Sequence, residues 1–343
     1  MEKFTQLTHE EYCQLLSGVA KEAMGSWDIQ QDGVEITLLK YRENAVFKIR
    51  LLNGDQFALR IHRMNYHSDI ALQSELQWMT ELSQSEISVP TIIKTKDGSL
   101  FAYVKTKDFP EAHQCDLLSW VEGEQIAQVE TLHLLDTSTI KDVYRTVGNL
   151  AAKLHIQSSE WTKPKGFYRK HWDIEGCIGI NAIWGCWDNL ETLNDGQKRI
   201  LNGAIAIAKR KLNHYGKTVG NYGLIHSDFA PENLLKKGSR IHIIDFDDCG
   251  FGWFMWEIVT ALFFQLDEDY YDVSHQSILK GYGEIRTITS RDLEILPTLF
   301  FIRGLVYLGW MHTRKETENA INMTDKVVEL TLSQASNLLE SDY

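Results

Sequence analysis

The sequence predicts an α+β protein in two lobes, a small antiparallel sheet followed by a larger, mainly helical part. Three observations carry that expectation. Period-two alternation of apolar and polar residues is concentrated in the first third of the chain. Helical spacing of apolar residues dominates after Gly123. The length, 343 residues, suits two domains at roughly 100–200 residues each. The expected boundary lies in "LLSWVEGE", which gives an N-terminal lobe of 1–121 and a C-terminal lobe of 122–343.

The elements follow in order. His9–Met24 has helical spacing, with Thr8 as its N-cap. "GVEITLLKYRENAVFKIRLLNGDQFALRIHR" reads as three antiparallel strands, and the alternation is clearest in Ala45–Leu51 and Phe57–Ile61. Asn53-Gly54 predicts a two-residue hairpin turn between them. Ser68 caps a helix that runs to Gln84. Asp97-Gly98 marks another hairpin, and Cys115–Val121 a fifth strand. Helices are expected over Ser138–Trp161 and Asp195–Gly216, the second stopped by Gly216. Three more close the chain, around Phe254–Leu266, Arg291–His312 and Glu316–Leu339.

Composition narrows the function classes. The net charge of −12 argues against nucleic acid as a partner, since that needs a basic surface. It suits solubility, and it would steer a cationic substrate. Five cysteines stand apart, with no CxxC or metal spacing. That pattern reads as reduced thiols in a cytoplasmic protein. The polar, acidic N-terminus is unlike a signal peptide. No apolar run approaches about 18 residues, so no membrane span is expected.

The chemistry concentrates in "GLIHSDFAPENLLKKGSRIHIIDFDDCG", Gly223–Gly250. Two short apolar strands flank a loop that carries Asp228 and Asn233, and Asp245 ends the second strand. Two carboxylates and an amide are hard oxygen ligands, which suit Mg²⁺ rather than zinc. A carboxylate spared from the metal could accept a proton from an alcohol. Phosphoryl transfer needs this division of labour.

The spacing H-x-D-x-x-x-x-N followed by D-F-D parallels the catalytic segments of protein kinases. "HSDFAPENLL" and "IIDFDD" resemble the aminoglycoside phosphotransferase family. That kinase-like group includes choline and ethanolamine kinases, a kinase-like homoserine kinase and a bacterial stress-response protein kinase. The resemblance covers nearly the whole chain. It implies a bilobal, protein-kinase-like fold that uses ATP and Mg²⁺. Asp228 would be the catalytic base, Asn233 and Asp245 would hold Mg²⁺, and His226 would brace the loop. Arg60, in "FALRIHR", would meet the ATP phosphates with Glu75 as its partner; Arg63 and Glu81 are the nearest rivals. The turn "KYRENAV" resembles a glycine-poor phosphate loop. It offers Tyr41, Arg42, Glu43 and Asn44, of which Asn44 is assigned to the nucleotide. The backbone of Ser119 and Val121 would bind adenine, with Leu118 behind it. Glu257 stands where the family usually has Asp and would tie the loop to a helix.

No A-P-E and no activation segment follow D-F-D. The resemblance therefore implies a small-molecule hydroxyl acceptor: an aminoglycoside, an amino alcohol or a homoserine-like compound. A bacterial Ser/Thr protein kinase and a nucleotide-binding pseudokinase stay open as alternatives, as does the choice of monomer or homodimer. The tryptophans of "GFYRKHWDIEGCIGINAIWGCWDN" and "GFGWFMWEIV" are either scaffold or a cage for a quaternary ammonium. Asp267, Glu268, Asp269 and Asp272 are either an acceptor site or a solvated cap. Asp247 is either adjacent to the metal or a turn cap, and Asp248 and Cys249 read as turn residues.

Overall fold

The computed structural model describes residues 8–30, 32–41 and 44–341. It divides into two compact units. Unit 1 is Met1–Glu124 with Pro164–Tyr168 and Leu235–Ile244; unit 2 is Gln125–Lys163, Arg169–Leu234 and Asp245–Tyr343. The architecture is α+β, with an antiparallel sheet near the N-terminus and helices dominating afterwards.

Unit 1 begins with α1 (His9–Ala23), whose cap is Thr8. The Thr8 hydroxyl accepts from the Glu11 N–H while the Glu11 carboxylate accepts from the Thr8 N–H. Two otherwise orphaned helix donors are thereby satisfied. Strands β1 (Glu35–Tyr41), β2 (Ala45–Arg50) and β3 (Gln56–Ile61) form a meander. The turn after β2 differs from the expected two-residue form. Leu51 N–H bonds to the Asp55 carbonyl, leaving Leu52, Asn53 and Gly54 as the loop, with Gly54 at φ +92°. A turn followed by one left-handed residue favours glycine in that last place.

Helix α2 (Asp69–Ser83) is capped by Ser68. The edge of the sheet departs from expectation. β4 (Ile92–Ile93) and β5 (Ala102–Val104) do not form a hairpin about Asp97-Gly98. Both pair with β6 (His113–Ser119), β4 at Leu117–Leu118 and β5 at His113–Cys115. They are two pieces of one edge strand, and the Asp97-Gly98 turn lies in the excursion between them. The sheet order is β1-β2-β3-β6-β4. One core joins Leu16, Val19 and Ala20 of α1 to Phe47, Ile49, Leu59, Ile61, Cys115 and Leu117 of the strands.

β7 (Glu124–Gln125) lies beside β10 (Leu234–Lys237), which pairs with β11 (Arg240–Ile243). β10 is not anticipated from the sequence, because "LLKK" is short and its alternation is weak. The segment 235–244 is tied within unit 1 by the Ile243 N–H, which donates to the Ser88 carbonyl at 2.9 Å.

In unit 2, α3 (Thr137–Glu160) is capped by Asp136. β8 (His171–Trp172), the short α4 (Ile174–Ile178) and α5 (Asp195–Tyr215) follow, and Gly216 stops α5. β9 (Tyr222–Ile225) leads into the polar loop, and β12 (Gly250–Trp253) runs antiparallel to it. α6 (Met255–Leu262), α7 (Tyr271–Ile285), α8 (Ser290–Thr313) and α9 (Glu318–Glu340) complete the chain. α7 is an addition to the three closing helices expected. Its apolar stripe is thin, and close approach to α3 compensates: a Cβ on Gly148 would lie 2.0 Å from the Ile278 carbonyl oxygen. α8 is the described helix long and apolar enough to cross a membrane, yet 78% of its most apolar window is buried inside the protein. It is a core helix of the fold.

Candidate active site

The loop after β9 is built from α6 outward. The Ile225↔Gly250 pair closes the segment that holds Asp228, Asn233 and Asp245. Glu257, on α6, accepts from the backbone N–H groups of His226 and Ser227. The Trp256 indole N–H donates to the Ser227 hydroxyl at 3.2 Å, and the Thr260 hydroxyl to the Ser227 carbonyl at 3.4 Å. One helix face therefore fixes two consecutive loop residues. Burial pushes the Glu257 carboxyl up to about 8, against the opposing pull of the His226 and Ser227 N–H donors and of Arg303.

That grip holds an unusual backbone. Ser227 has φ +70° and Asp245 φ +65°. For a residue with a Cβ this conformation costs about 1–2 kcal/mol and persists where the surroundings over-determine it. His226 braces the loop from within. Its ring lies edge-on to Phe246 at 4.7 Å and to Phe229 at 5.7 Å, and its Nδ1 accepts the Asp228 N–H. Phe246 follows Asp245 directly, so this contact anchors the second acidic segment against the first.

The Asn233 amide nitrogen donates to the Asp228 carbonyl at 2.8 Å and to its carboxylate Oδ2 at 2.9 Å. With its nitrogen committed, Asn233 has its carbonyl oxygen for any cation. Asp228 is also approached from α8, where Arg303 Nη2 lies 3.7 Å from Oδ1. Arg303 is not singled out in the sequence reading, although a signal exists: it is the lone charge between Glu294 and His312 in an apolar helix. Its guanidinium lies over Tyr307, Trp184 and Trp256, at 4.3, 4.8 and 5.4 Å from the ring centroids. These aromatics thus surround a cation that belongs to the chain itself. Asp248, read as a turn residue, does sit in a turn and also accepts from two indoles, Trp184 at its carboxylate and Trp172 at its carbonyl. Asp247 is buried, and its carbonyl accepts from Arg169. Lys326 bridges Asp267 and Glu268 at 3.1 Å each, and Asp269 and Asp272 are exposed.

The second cluster lies in unit 1. Arg60, buried on β3, donates from Nη1 to Glu75 at 2.8 Å. Asp116, on β6, takes the other prongs: Nε to Oδ1 and Nη2 to Oδ2, both 2.8 Å. His62 Nε2 lies 2.6 Å from the same carboxylate. Burial alone would push the Asp116 carboxyl up, but Arg60 and His62 hold it below the usual range. Asp116 is absent from the sequence reading; an acid inside the apolar run "CDLL" was the available signal. Arg63 is exposed.

Asn44 is buried directly before β2, while Arg42 and Glu43 lie outside the described residues. Ser119 and Val121 line an open cavity of about 820 Å³ together with Trp120 and Arg240. The Ser119 N–H donates to the Thr91 carbonyl and its hydroxyl accepts from the Thr91 N–H, each at 2.8 Å. The backbone N–H of Ser119 is therefore committed to the sheet edge.

The chain is similar to a known group of enzymes. A model of the phosphotransferase enzyme family matches residues 36–291. A solved microcompartment-associated aminopropanol kinase is 30% identical, with a TM-score of 0.83, over 95% of this chain and 98% of that one. A homoserine kinase of Sinorhizobium medicae (strain WSM419) is 25% identical over 303 residues, 87% of this chain and 82% of that protein. An amicoumacin kinase of Bacillus subtilis (strain 168) is 21% identical over 318 residues, 90% and 86% of the two chains. The chain belongs to the phosphotransferase enzyme family, the group of the aminoglycoside phosphotransferases, and has its protein-kinase-like fold. It is an enzyme, a phosphotransferase with an alcohol group as acceptor.

Proposed function

We propose that the enzyme moves the γ-phosphoryl group of ATP, with Mg²⁺, to a hydroxyl of a small amino alcohol or hydroxy amino acid. The observation that carries this reading is the hydrogen bond from the Asn233 amide nitrogen to Asp228 Oδ2. It separates two roles within one loop: a carboxylate aimed as a base, and an amide oxygen left for a hard cation. The donor set fits magnesium, since the Asn233 amide nitrogen is bound to Asp228 and what Asn233 and Asp245 have for a cation is oxygen. Bound magnesium would offset phosphate charge and polarise the terminal phosphoryl group.

The rest is done by the chain. Asp228 takes the proton as the acceptor oxygen attacks. Glu257, through the two loop N–H groups it binds, keeps Asp228 in place. Arg60, oriented by Asp116 and Glu75, meets the nucleotide phosphates; Asn44 flanks them, and Ser119 and Val121 hold the base through their backbone. A solved amicoumacin kinase with AMP-PNP and Ca²⁺ shares the fold at 19% identity and a TM-score of 0.75, which supports a nucleotide–metal reading. The acceptor class is suggested by relatives named for homoserine and aminopropanol.

The test is ADP release with ATP and excess Mg²⁺ across a panel of amino alcohols, hydroxy amino acids and aminoglycosides. Acceptor-dependent turnover that EDTA abolishes is expected. Turnover that ignores every acceptor, or survives EDTA, would defeat the proposal.

A further inference from the structure

Arg303 is fully buried. Its Nη2 donates to the Tyr307 hydroxyl at 2.9 Å and lies 3.7 Å from Asp228 Oδ1. Its Nε and Nη1 are buried and have no hydrogen-bond acceptor among the described residues. The faces of Trp184, Trp256 and Tyr307 enclose it instead. A guanidinium stays charged in proteins. Burying one whose ion pair, to Asp228, is stretched to 3.7 Å is unfavourable, and an apolar side chain of similar volume would pack at lower cost. Groups that break the packing rules in this way are expected where function requires them.

We propose that Arg303 is a positioning residue for phosphoryl transfer, holding Asp228 Oδ1 while Asn233 holds Oδ2. The idea rests on Asp228 being the base. Its two oxygens are then steadied from different elements, Oδ2 by the loop's own amide and Oδ1 by a cation on α8. The aromatic faces fix the guanidinium without neutralising it, so its attraction for Asp228 is retained. The carboxylate cannot rotate about its terminal bond without leaving one of these partners, so it keeps one orientation toward the incoming hydroxyl. Misplacing a catalytic group by about 1 Å can cost on the order of 100-fold in rate.

The experiment compares Arg303→Met, Arg303→Lys and Asp228→Asn with the double variant Arg303→Met/Asp228→Asn, using ATP and the best acceptor of the panel. Arg303→Met should keep or raise Tm, keep its ATP affinity, and lose about 100-fold in kcat. Arg303→Lys should recover part of that loss. In the Asp228→Asn background, Arg303→Met should have no further effect, because its partner carboxylate is already gone. A lowered Tm with unchanged kcat, or an equal kcat loss in both backgrounds, would overturn the positioning role. A fully active Asp228→Asn enzyme would instead overturn the base assignment on which it rests.

Discussion

Replacing Asp116 with Asn removes the charge around which the unit 1 cluster is organised. Asp116 is wholly buried and occupies two of the Arg60 donors, with His62 on the same carboxylate. Asparagine keeps one oxygen but turns an NH₂ toward a guanidinium, so one donor meets another. Arg60 would lose one of its two bonds to this side chain while keeping the Nη1 bond to Glu75. Removing one partner of a buried ion pair costs roughly 3–5 kcal/mol. At a slope of about 2 kcal/mol per M urea, the unfolding midpoint should fall by about 2 M. The acid side supplies a second reading. The folded Asp116 carboxyl is held below its usual range, so its contribution is complete above the unfolded value and is lost as pH falls through the folded one. That acid-side loss should be smaller in Asp116→Asn than in wild type. Urea titrations at neutral and acid pH check both effects. A midpoint shift under about 0.3 M at neutral pH would show that the cluster does not depend on this charge.

Other consequences can be measured with further variants and acceptors. Asp245→Ala should abolish the Mg²⁺-dependent part of ATP binding in calorimetry, and leave binding without the metal unchanged. Glu257 has its folded value raised from 4.5 to about 8, so the folded state favours the protonated form. Its contribution is complete below about 4.5 and is lost as pH rises through about 8; in Glu257→Gln, thermal stability should lose that slope across the same window. Choline should give no turnover above background, because Trp184, Trp256 and Tyr307, three faces able to hold a quaternary ammonium, already enclose Arg303. Choline turnover comparable to that of an amino alcohol would contradict this.

What could be read from the sequence was mostly local. The caps at Thr8 and Ser68 and the stop at Gly216 depend on neighbouring residues, and all three appear in the structure. The offsets of Asp228 and Asn233 likewise set a contact within one loop. Long-range partners were less legible. Whether β4 pairs with β5 or with β6 is settled by the sheet edge, which no turn dipeptide encodes. α7 depends on a glycine contact with α3 rather than on a strong apolar stripe. Asp116 and Arg303 each sit as a lone charge in an apolar run. Such a charge announces that a partner exists, but the partner, 56 residues away for Asp116 and on another loop for Arg303, emerges only on folding.

The most direct measurement is the single-turnover rate of Asp228→Asn with saturating ATP, Mg²⁺ and acceptor, alongside its ATP affinity. The account predicts an affinity close to wild type and a rate reduced by several orders of magnitude. A rate within a few-fold of wild type, at the same affinity, would mean that the proton of the acceptor hydroxyl goes elsewhere.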